Sequence, residues 1–295
     1  MPAAVLVVNP YATRVSDDKV DAVVEQLSRV ADVSVVRTEA PRHAVELVTE
    51  ACRSADAVIV FSGDGGFNEA LNGHEGDVPM GFLPGGGTSV LPRALGLPAD
   101  PVEAARRVAD ALANGRTRRI SLGRVNGRRF AFSAGLGLDA AAVRRVDEMG
   151  RGGDGKRPGD MAFALAVLRV LAAERGHLEP ALEVVGMGRA ACAFVANTHP
   201  YTYAKGLALP IAPDAEFELG LDLVAPVRIR RRSLLRTAWS VLRGHPRDGM
   251  LYAHDVDRIE IVCDEPMPLH VDGEDLGDVD RALFEAERGA VRVLV

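Results

Sequence analysis

Phe61-Ser62-Gly63-Asp64-Gly65-Gly66-Phe67-Asn68-Glu69-Ala70-Leu71-Asn72-Gly73 decides the fold. The stretch opens as the end of an apolar run, Ala57 to Phe61. It passes through glycines around one carboxylate and continues into a helix beginning over Phe67 to Asn72. Strand, glycine turn and helix form the repeating unit of an α/β layer with a mostly parallel sheet, where ligands sit outside the carboxyl ends of the strands. Glycines let backbone N–H groups approach phosphate oxygens, and a helix N-terminus favours an anion. Asp64 in such a loop would repel a bare phosphate, so it makes chemical sense with a divalent cation or a sugar hydroxyl between them. A plain glycine turn with a helix cap is the alternative, and this stretch alone leaves both open.

The alternation continues on both sides. Upstream, Ala3 to Val8 is an apolar run ending at Asn9-Pro10. Asp17 to Val30 carries Val20, Val23, Val24 and Leu27 at helical spacing, Val33 to Thr38 is a second strand and His43 to Arg53 a second helix. Downstream, Pro79 to Leu83 is a fourth strand running into Pro84-Gly85-Gly86-Gly87-Thr88. Pro101 to Asn114 is a helix with Asp100 as cap and Gly115 as stop. Residues 1–120 therefore read as an α/β domain. Two glycine loops at strand ends, the second offering the Thr88 hydroxyl, can hold one nucleotide between them or can be two turns that serve stability.

After Arg119 the pattern becomes β-rich. Arg119 to Val125, Arg128 to Ala134, Glu183 to Gly186, Ala190 to Ala196, Leu221 to Ala225, Arg258 to Cys263, Met267 to Val271 and Ala290 to Val295 read as short strands. Hairpin signals stand at Asn126-Gly127 and Gly186 to Gly188. Helices at Met161 to Glu174 and Ser233 to Arg243 interrupt them, and Gly150 to Gly159 is a glycine-rich loop. Residues 121–295 form this second domain, whose last segment can pack back on the first.

Three carboxylate motifs lie in the second half. Gly135-Leu136-Gly137-Leu138-Asp139-Ala140 nearly matches a dinucleotide fingerprint but lies outside a first βαβ unit, so Asp139 reads as a carboxylate facing a cleft or as a helix cap. His270-Val271-Asp272-Gly273-Glu274-Asp275 offers Asp272 as a general base, or is simply a β-turn. Asp214, Glu216, Glu218 and Asp222 make an oxygen-ligand cation site or a solvated turn. Gly150 to Lys156 has P-loop spacing, but Arg157 stands where Ser or Thr is needed and no strand precedes it.

Composition narrows the function classes. The 295 residues, 47% hydrophobic and 26% charged, are globular in composition and long enough for one large domain or two of roughly 100–200 residues. The three cysteines are far apart and lack metal-ligand spacing, which excludes a disulfide scaffold and a zinc site and points to a reducing, cytoplasmic setting. A net charge of −6 argues against a nucleic-acid partner. No apolar run approaches the roughly 20 residues of a membrane span, and Met1 to Pro10 lacks the basic region of a secretory signal. Val227 to Arg247 holds seven arginines and no acid, with Leu234, Leu235, Ala238, Trp239 and Leu242 forming an apolar stripe. It reads as a helix for an anionic bilayer surface, or as a core-packed helix with a solvated face.

Together these motifs resemble the diacylglycerol kinase catalytic-domain family, which includes bacterial soluble lipid kinases and is similar to sphingosine and ceramide kinases. Asn9-Pro10, Gly63-Asp64-Gly65 with Asn68, Glu69, Asn72 and Gly73, Pro84 to Thr88, Gly135-Gly137-Asp139-Ala140 and Asp272-Gly273-Glu274 match its motifs in order. The resemblance implies an α/β nucleotide-binding domain, a β-sandwich-like lipid domain and an active site in the cleft between them. It implies ATP, Mg²⁺ and γ-phosphoryl transfer to a lipid hydroxyl at a membrane surface by a peripherally associated protein, with a homodimer as a family-level expectation. Carried over, Asp64 faces the nucleotide and Mg²⁺, with Gly63, Gly65, Asn68, Glu69, Gly87, Thr88 and Glu274 on the nucleotide side. Asn9 and Thr38 line the same cleft. Asp139 supports the Mg²⁺–water network, Asp272 takes the lipid hydroxyl proton, and Glu218 and Asp222 match a structural Mg²⁺ site, with Glu in place of Asp at the first. The family motif has Gly at position 62 and Thr at 66, where this chain has Ser62 and Gly66, and Ser89-Val90 replaces an Asn that is often followed by Asp. The alternatives are an NAD kinase-like enzyme and a non-catalytic nucleotide- or lipid-binding relative.

Overall fold

The computed structural model describes residues 1–148, 169, 176–204, 207–209, 211–230 and 249–295. The chain divides into two compact units, Met1–Ile120 with Gly289–Val295, and Ser121–Arg288.

The first unit alternates β1 (Ala3–Val8), α1 (Asp17–Leu27), β2 (Asp32–Arg37), α2 (His43–Ser54), β3 (Ala57–Ser62), α3 (Asp64–Gly73), β4 (Met80–Pro84), α4 (Val90–Ala94) and α5 (Pro101–Ala113). The sheet runs β4-β3-β1-β2, parallel throughout, and Val293 near the chain end adds a parallel pairing to Met80. Burial follows position in the sheet. Every residue of central β3 is buried, while edge strand β2 is mostly exposed. Asp100 caps α5 by accepting from Val102 N at 2.9 Å and Glu103 N at 3.0 Å, and Pro101 occupies the first turn, where no N–H is needed. Helices α2 and α3 pack so closely that a Cβ on Gly73 would fall 2.2 Å from Val45 O.

The second unit holds β5 (Thr117–Val125, which begins in the first), β6 (Arg128–Phe130), β7 (Ser133–Leu136), α6 (Leu138–Glu148), β8 (Leu182–Val184), β9 (Gly188–Ala190), β10 (Ala193–Ala196), β11 (Thr202–Ala204), β12 (Leu207–Leu209), β13 (Leu221–Pro226), β14 (Met250–Val256), β15 (Arg258–Val271) and β16 (Glu274–Leu294, whose residues from Gly289 on belong to the first). Its sheet runs β14-β13-β10-β7-β15-β16, antiparallel at each step. The main core joins Phe130, Leu136, Val195, Leu223, Ile261 and Phe284, with the Phe130 and Phe284 rings edge to face at 6.4 Å.

Several boundaries differ from the sequence reading, each for a physical reason. Helix α3 begins at Asp64 rather than Phe67, so Gly65 and Gly66 lie in its first turn. Arg128 to Ala134 is not one strand, because the N–H groups of Ala131, Phe132 and Ser133 turn to the Asp272 carboxylate and break it into β6 and β7. Conversely, Arg258 to Cys263 and Met267 to Val271 are one strand, β15, with a register shift between Val262 and Met267. Strand β14 had no clear signal, and β16 is far longer than Ala290 to Val295. The helices read at Met161 to Glu174 and Ser233 to Arg243, the loop at Gly150 to Gly159 and nearly all of the arginine-rich stretch lie outside the described residues. No helix among the described residues is long and apolar enough to cross a membrane.

Candidate active site

In the first unit the candidate residues gather at the carboxyl ends of the parallel strands. Asn9 follows β1, its N–H donating to Phe61 O at 3.0 Å and its Oδ1 accepting from Tyr11 N at 3.0 Å. Thr38 follows β2 and is buried, its N–H donating to Val8 O at 2.9 Å. The loops after β3 and β4 lie against each other. Gly85 N donates to Ser62 O at 2.7 Å, and a Cβ on Gly86 would stand 2.9 Å from Gly63 Cα. Leu91 N donates to Asp64 Oδ1 at 3.3 Å, which ties the carboxylate to the start of α4. Gly65 and Gly87 are exposed, nothing lies within 4 Å of a Cβ placed on either, and the N-terminus of α3 has no side-chain cap. This is the arrangement that binds phosphate at a helix N-terminus. Asn68 is buried, and Asn72 Nδ2 donates to its O and Oδ1 at 2.8 and 3.2 Å. Glu69 is half-buried on the same helix.

Ser62 and Gly66, two departures from the family pattern, are linked. A Cβ on Gly66 would fall 2.1 Å from Ser62 Oγ, so a side chain at 66 and the Ser62 hydroxyl exclude one another. Ser62 Oγ is buried and has no hydrogen-bond partner among the described residues.

In the second unit Asp272 and Gly273, at φ +47° and +78°, form the turn from β15 to β16. Asp272 is 6% exposed. Its carboxylate accepts from Ala131 N at 2.8 Å, Phe132 N at 3.0 Å and Ser133 N at 3.2 Å. Asn197, which the sequence reading missed, holds the same segment from the other side, its Nδ2 donating to Ala131 O at 2.8 Å. Hydrogen bonds to a charged group contribute about 1.5–3 kcal/mol each, well above an exposed pair at 0–1 kcal/mol, so the Asp272 cradle outweighs exposed pairs such as Arg29–Glu25. Glu274, read as a nucleotide-side residue, pairs with Arg128 at 2.6 Å, and Asp275 takes Arg144 at 2.9 and 3.1 Å.

Asp139 does not face open solvent. It is 4% exposed, and its Oδ2 accepts from Tyr201 Oη at 2.6 Å and His270 Nε2 at 2.8 Å. Burial, then the Asp139 charge, push the Tyr201 phenol well above its ordinary range, so it remains a donor. Asp222 is fully buried, and its carboxylate meets His254 Nδ1 at 2.9 and 3.0 Å and Asp255 N at 3.0 Å. The hydrogen bond to Asp222 raises His254 above its ordinary range, while burial raises Asp222 against it. Tyr252 Oη donates to Asp214 Oδ2 at 3.0 Å. Among the described residues no group of three or more His, Cys, Asp and Glu side chains could hold a metal ion. Asp139 and Asp222 therefore fit poorly as cation ligands, their oxygens being met by protein donors. Asp64 is only half-buried, beside the exposed Gly65, and its hydrogen bond from Leu91 N is long at 3.3 Å; Mg²⁺ is commonly held by one or two such carboxylates together with substrate phosphates and water.

Tyr201, His254 and His270 were also missed. His270 alone had a local signal, since it precedes Asp272 by two residues and alternate strand positions share a face. Tyr201 reaches Asp139 across 62 residues of sequence.

The architecture is that of the two-domain NAD kinase-like proteins. An Archaeoglobus fulgidus NAD kinase solved in complex with ATP matches over 99% of this chain and 93% of that one, with TM-score 0.56 and 15% identity. The diacylglycerol kinase catalytic domain matches residues 3–125, and the YegS C-terminal NAD kinase beta sandwich-like domain matches residues 133–295. The chain belongs to the diacylglycerol kinase catalytic-domain family. It is 29% identical over 235 residues to the diacylglycerol kinase of Bacillus subtilis (strain 168), covering 76% of this chain and 73% of that protein. A Bacillus anthracis str. Sterne structure assigned as a diacylglycerol kinase has TM-score 0.77 at 19% identity, over 99% of this chain and 97% of that one.

Proposed function

We propose that the protein is an ATP- and Mg²⁺-dependent lipid kinase that transfers the γ-phosphoryl of ATP to the hydroxyl of diacylglycerol or a related lipid. The observation that carries this reading is the pair of abutting glycine loops at the ends of β3 and β4, with the Asp64 carboxylate set at the uncapped start of α3. Gly63, Gly65, Gly87 and Thr88 surround the phosphates, where backbone N–H groups and the helix N-terminus favour negative charge. Asp64 would hold Mg²⁺, which when bound would supply positive charge to offset that of the phosphates. Asp272 accepts the proton of the lipid hydroxyl as its oxygen bonds to the γ-phosphorus, the bond from phosphorus to the bridging oxygen breaks, and ADP leaves. Phosphoryl transfer depends on positioning and charge neutralisation, so one fixed carboxylate base suffices. The lipid is met at a membrane surface through residues 227–247, whose arginines and apolar stripe suit an anionic bilayer.

Transfer of labelled γ-phosphate to a panel of lipids in mixed micelles, with NAD as a further acceptor, tests the reading. Labelled lipid that disappears in Asp64→Asn supports it. Label on NAD moves the protein to the NAD kinase-like alternative, for which the shared fold speaks. ATP binding without transfer makes it a non-catalytic relative. Co-sedimentation with anionic but not neutral vesicles checks the membrane contact.

A further inference from the structure

Asp139 stands at the start of α6 and folds back over β7 onto Gly135, the residue paired with His270 across the ladder. A Cβ on Gly135 would fall 2.2 Å from Asp139 Oδ2, so the carboxylate fills the space a side chain would take. There Oδ2 meets Tyr201 Oη and His270 Nε2, and Oδ1 accepts from Ala140 N at 2.9 Å. Tyr201 Oη also lies 3.3 Å from His270 Nε2 and 3.1 Å from Ala134 O. His270 and Tyr201 are 3% and 4% exposed, and His270 Nδ1 has no hydrogen-bond partner among the described residues, so the Nε2 contacts set the orientation of the ring. Two residues further along β15, Asp272 N donates to Ser133 O at 2.7 Å while its carboxylate gathers the N–H groups of Ala131, Phe132 and Ser133.

We propose that His270 is a positioning residue for Asp272, and that the Asp139 carboxylate, steadied by Tyr201, serves this contact rather than a cation. The cluster ties the end of β15 to the start of α6 and holds the turn that presents Asp272. Its catalytic consequence rests on the kinase reading. A reacting group displaced by about 1 Å loses up to roughly 100-fold in rate. The cluster therefore acts on kcat and leaves KM for ATP and lipid near wild type.

Amide hydrogen exchange and kinetics on the full chain test this together. In His270→Leu, protection of the Ala131, Phe132, Ser133 and Asp272 amides falls about tenfold or more, and kcat falls with little change in KM. His270→Gln, whose amide reaches the Nε2 position, restores both. Tyr201→Phe, which deletes one hydroxyl from a buried ring, shifts both in the same direction by less and serves if the leucine variant does not fold. Unchanged exchange in the folded variants overturns the proposal, whether or not wild type phosphorylates a lipid. Absence of transfer by wild type overturns the kinase reading, and the exchange result still decides the positioning. In a Mn²⁺ titration without nucleotide, followed by electron paramagnetic resonance, wild type and Asp139→Asn behave alike. A Mn²⁺ site lost in that variant overturns the claim about Asp139.

Discussion

At the end of β3, Asp64 stands half-buried beside Gly65, an exposed residue with open space around it. At the tip of the β15–β16 hairpin, Asp272 is buried and accepts three backbone N–H groups. Both are Asp-Gly pairs at strand ends. The first is built by leaving space beside backbone and one carboxylate. The second is built by turning carboxylate oxygens to the protein's own donors. A substitution should register as lost binding in the first region and as lost stability in the second.

The largest expected contrast is between the two aspartates. Asp272→Asn turns an NH2 group toward backbone donors and should cost about 3 kcal/mol or more in denaturant unfolding, along with transfer. Asp64→Asn should cost under about 1 kcal/mol, because Oδ1 still accepts from Leu91 N, yet it should abolish transfer. Equal losses of stability would break the comparison. The Asp272 variant must be read beside its unfolding curve, since its lost activity alone does not identify a base.

The next contrast is between glycines. Gly135→Ala collides with the Asp139 carboxylate and should cost about 1–3 kcal/mol. Gly65→Ala meets nothing and should add up to about 1 kcal/mol of helix stability, while raising KM for ATP. Ser62 and Gly66 sharpen the first region further. Gly66→Thr alone should destabilise, and adding Ser62→Gly should recover about 1 kcal/mol or more, a non-additivity read directly in a double-mutant cycle.

The smallest effect concerns His199 in the second unit. Burial depresses its imidazole below the usual 6.5, and its Nδ1 is buried without a hydrogen-bond partner among the described residues. The unfolded chain therefore binds the proton more readily. This contribution to stability is complete above pH 6.5 and declines as pH falls below it. The unfolding midpoint should drop as the solution is acidified from pH 7 towards about pH 5.5, and His199→Gln should flatten that limb.

Much of the first unit was legible because its signals are local. Buried parallel strands are continuous apolar runs, and caps such as Asp100 lie next to what they cap. The start of α3 was misjudged because glycine's low helix propensity hides a helix whose first turn includes Gly65 and Gly66. The second unit was less legible because its strands are short and its breaks are made from a distance. Nothing near Ala131 announces that Asp272, 141 residues away, will take its N–H. Asp139 and Asp222 were legible as carboxylates, but not their partners Tyr201, His270 and His254.

By itself the sequence determined the alternation of strand and helix, the β-rich second half, the glycine loops and the family, because apolar periodicity, turn residues and motif order are properties of neighbours along the chain. Only the tertiary structure decided which donors each carboxylate meets. A lone pair is satisfied by whichever donor lies within about 3 Å, and for Asp139, Asp222 and Asp272 those donors include groups brought from distant parts of the chain.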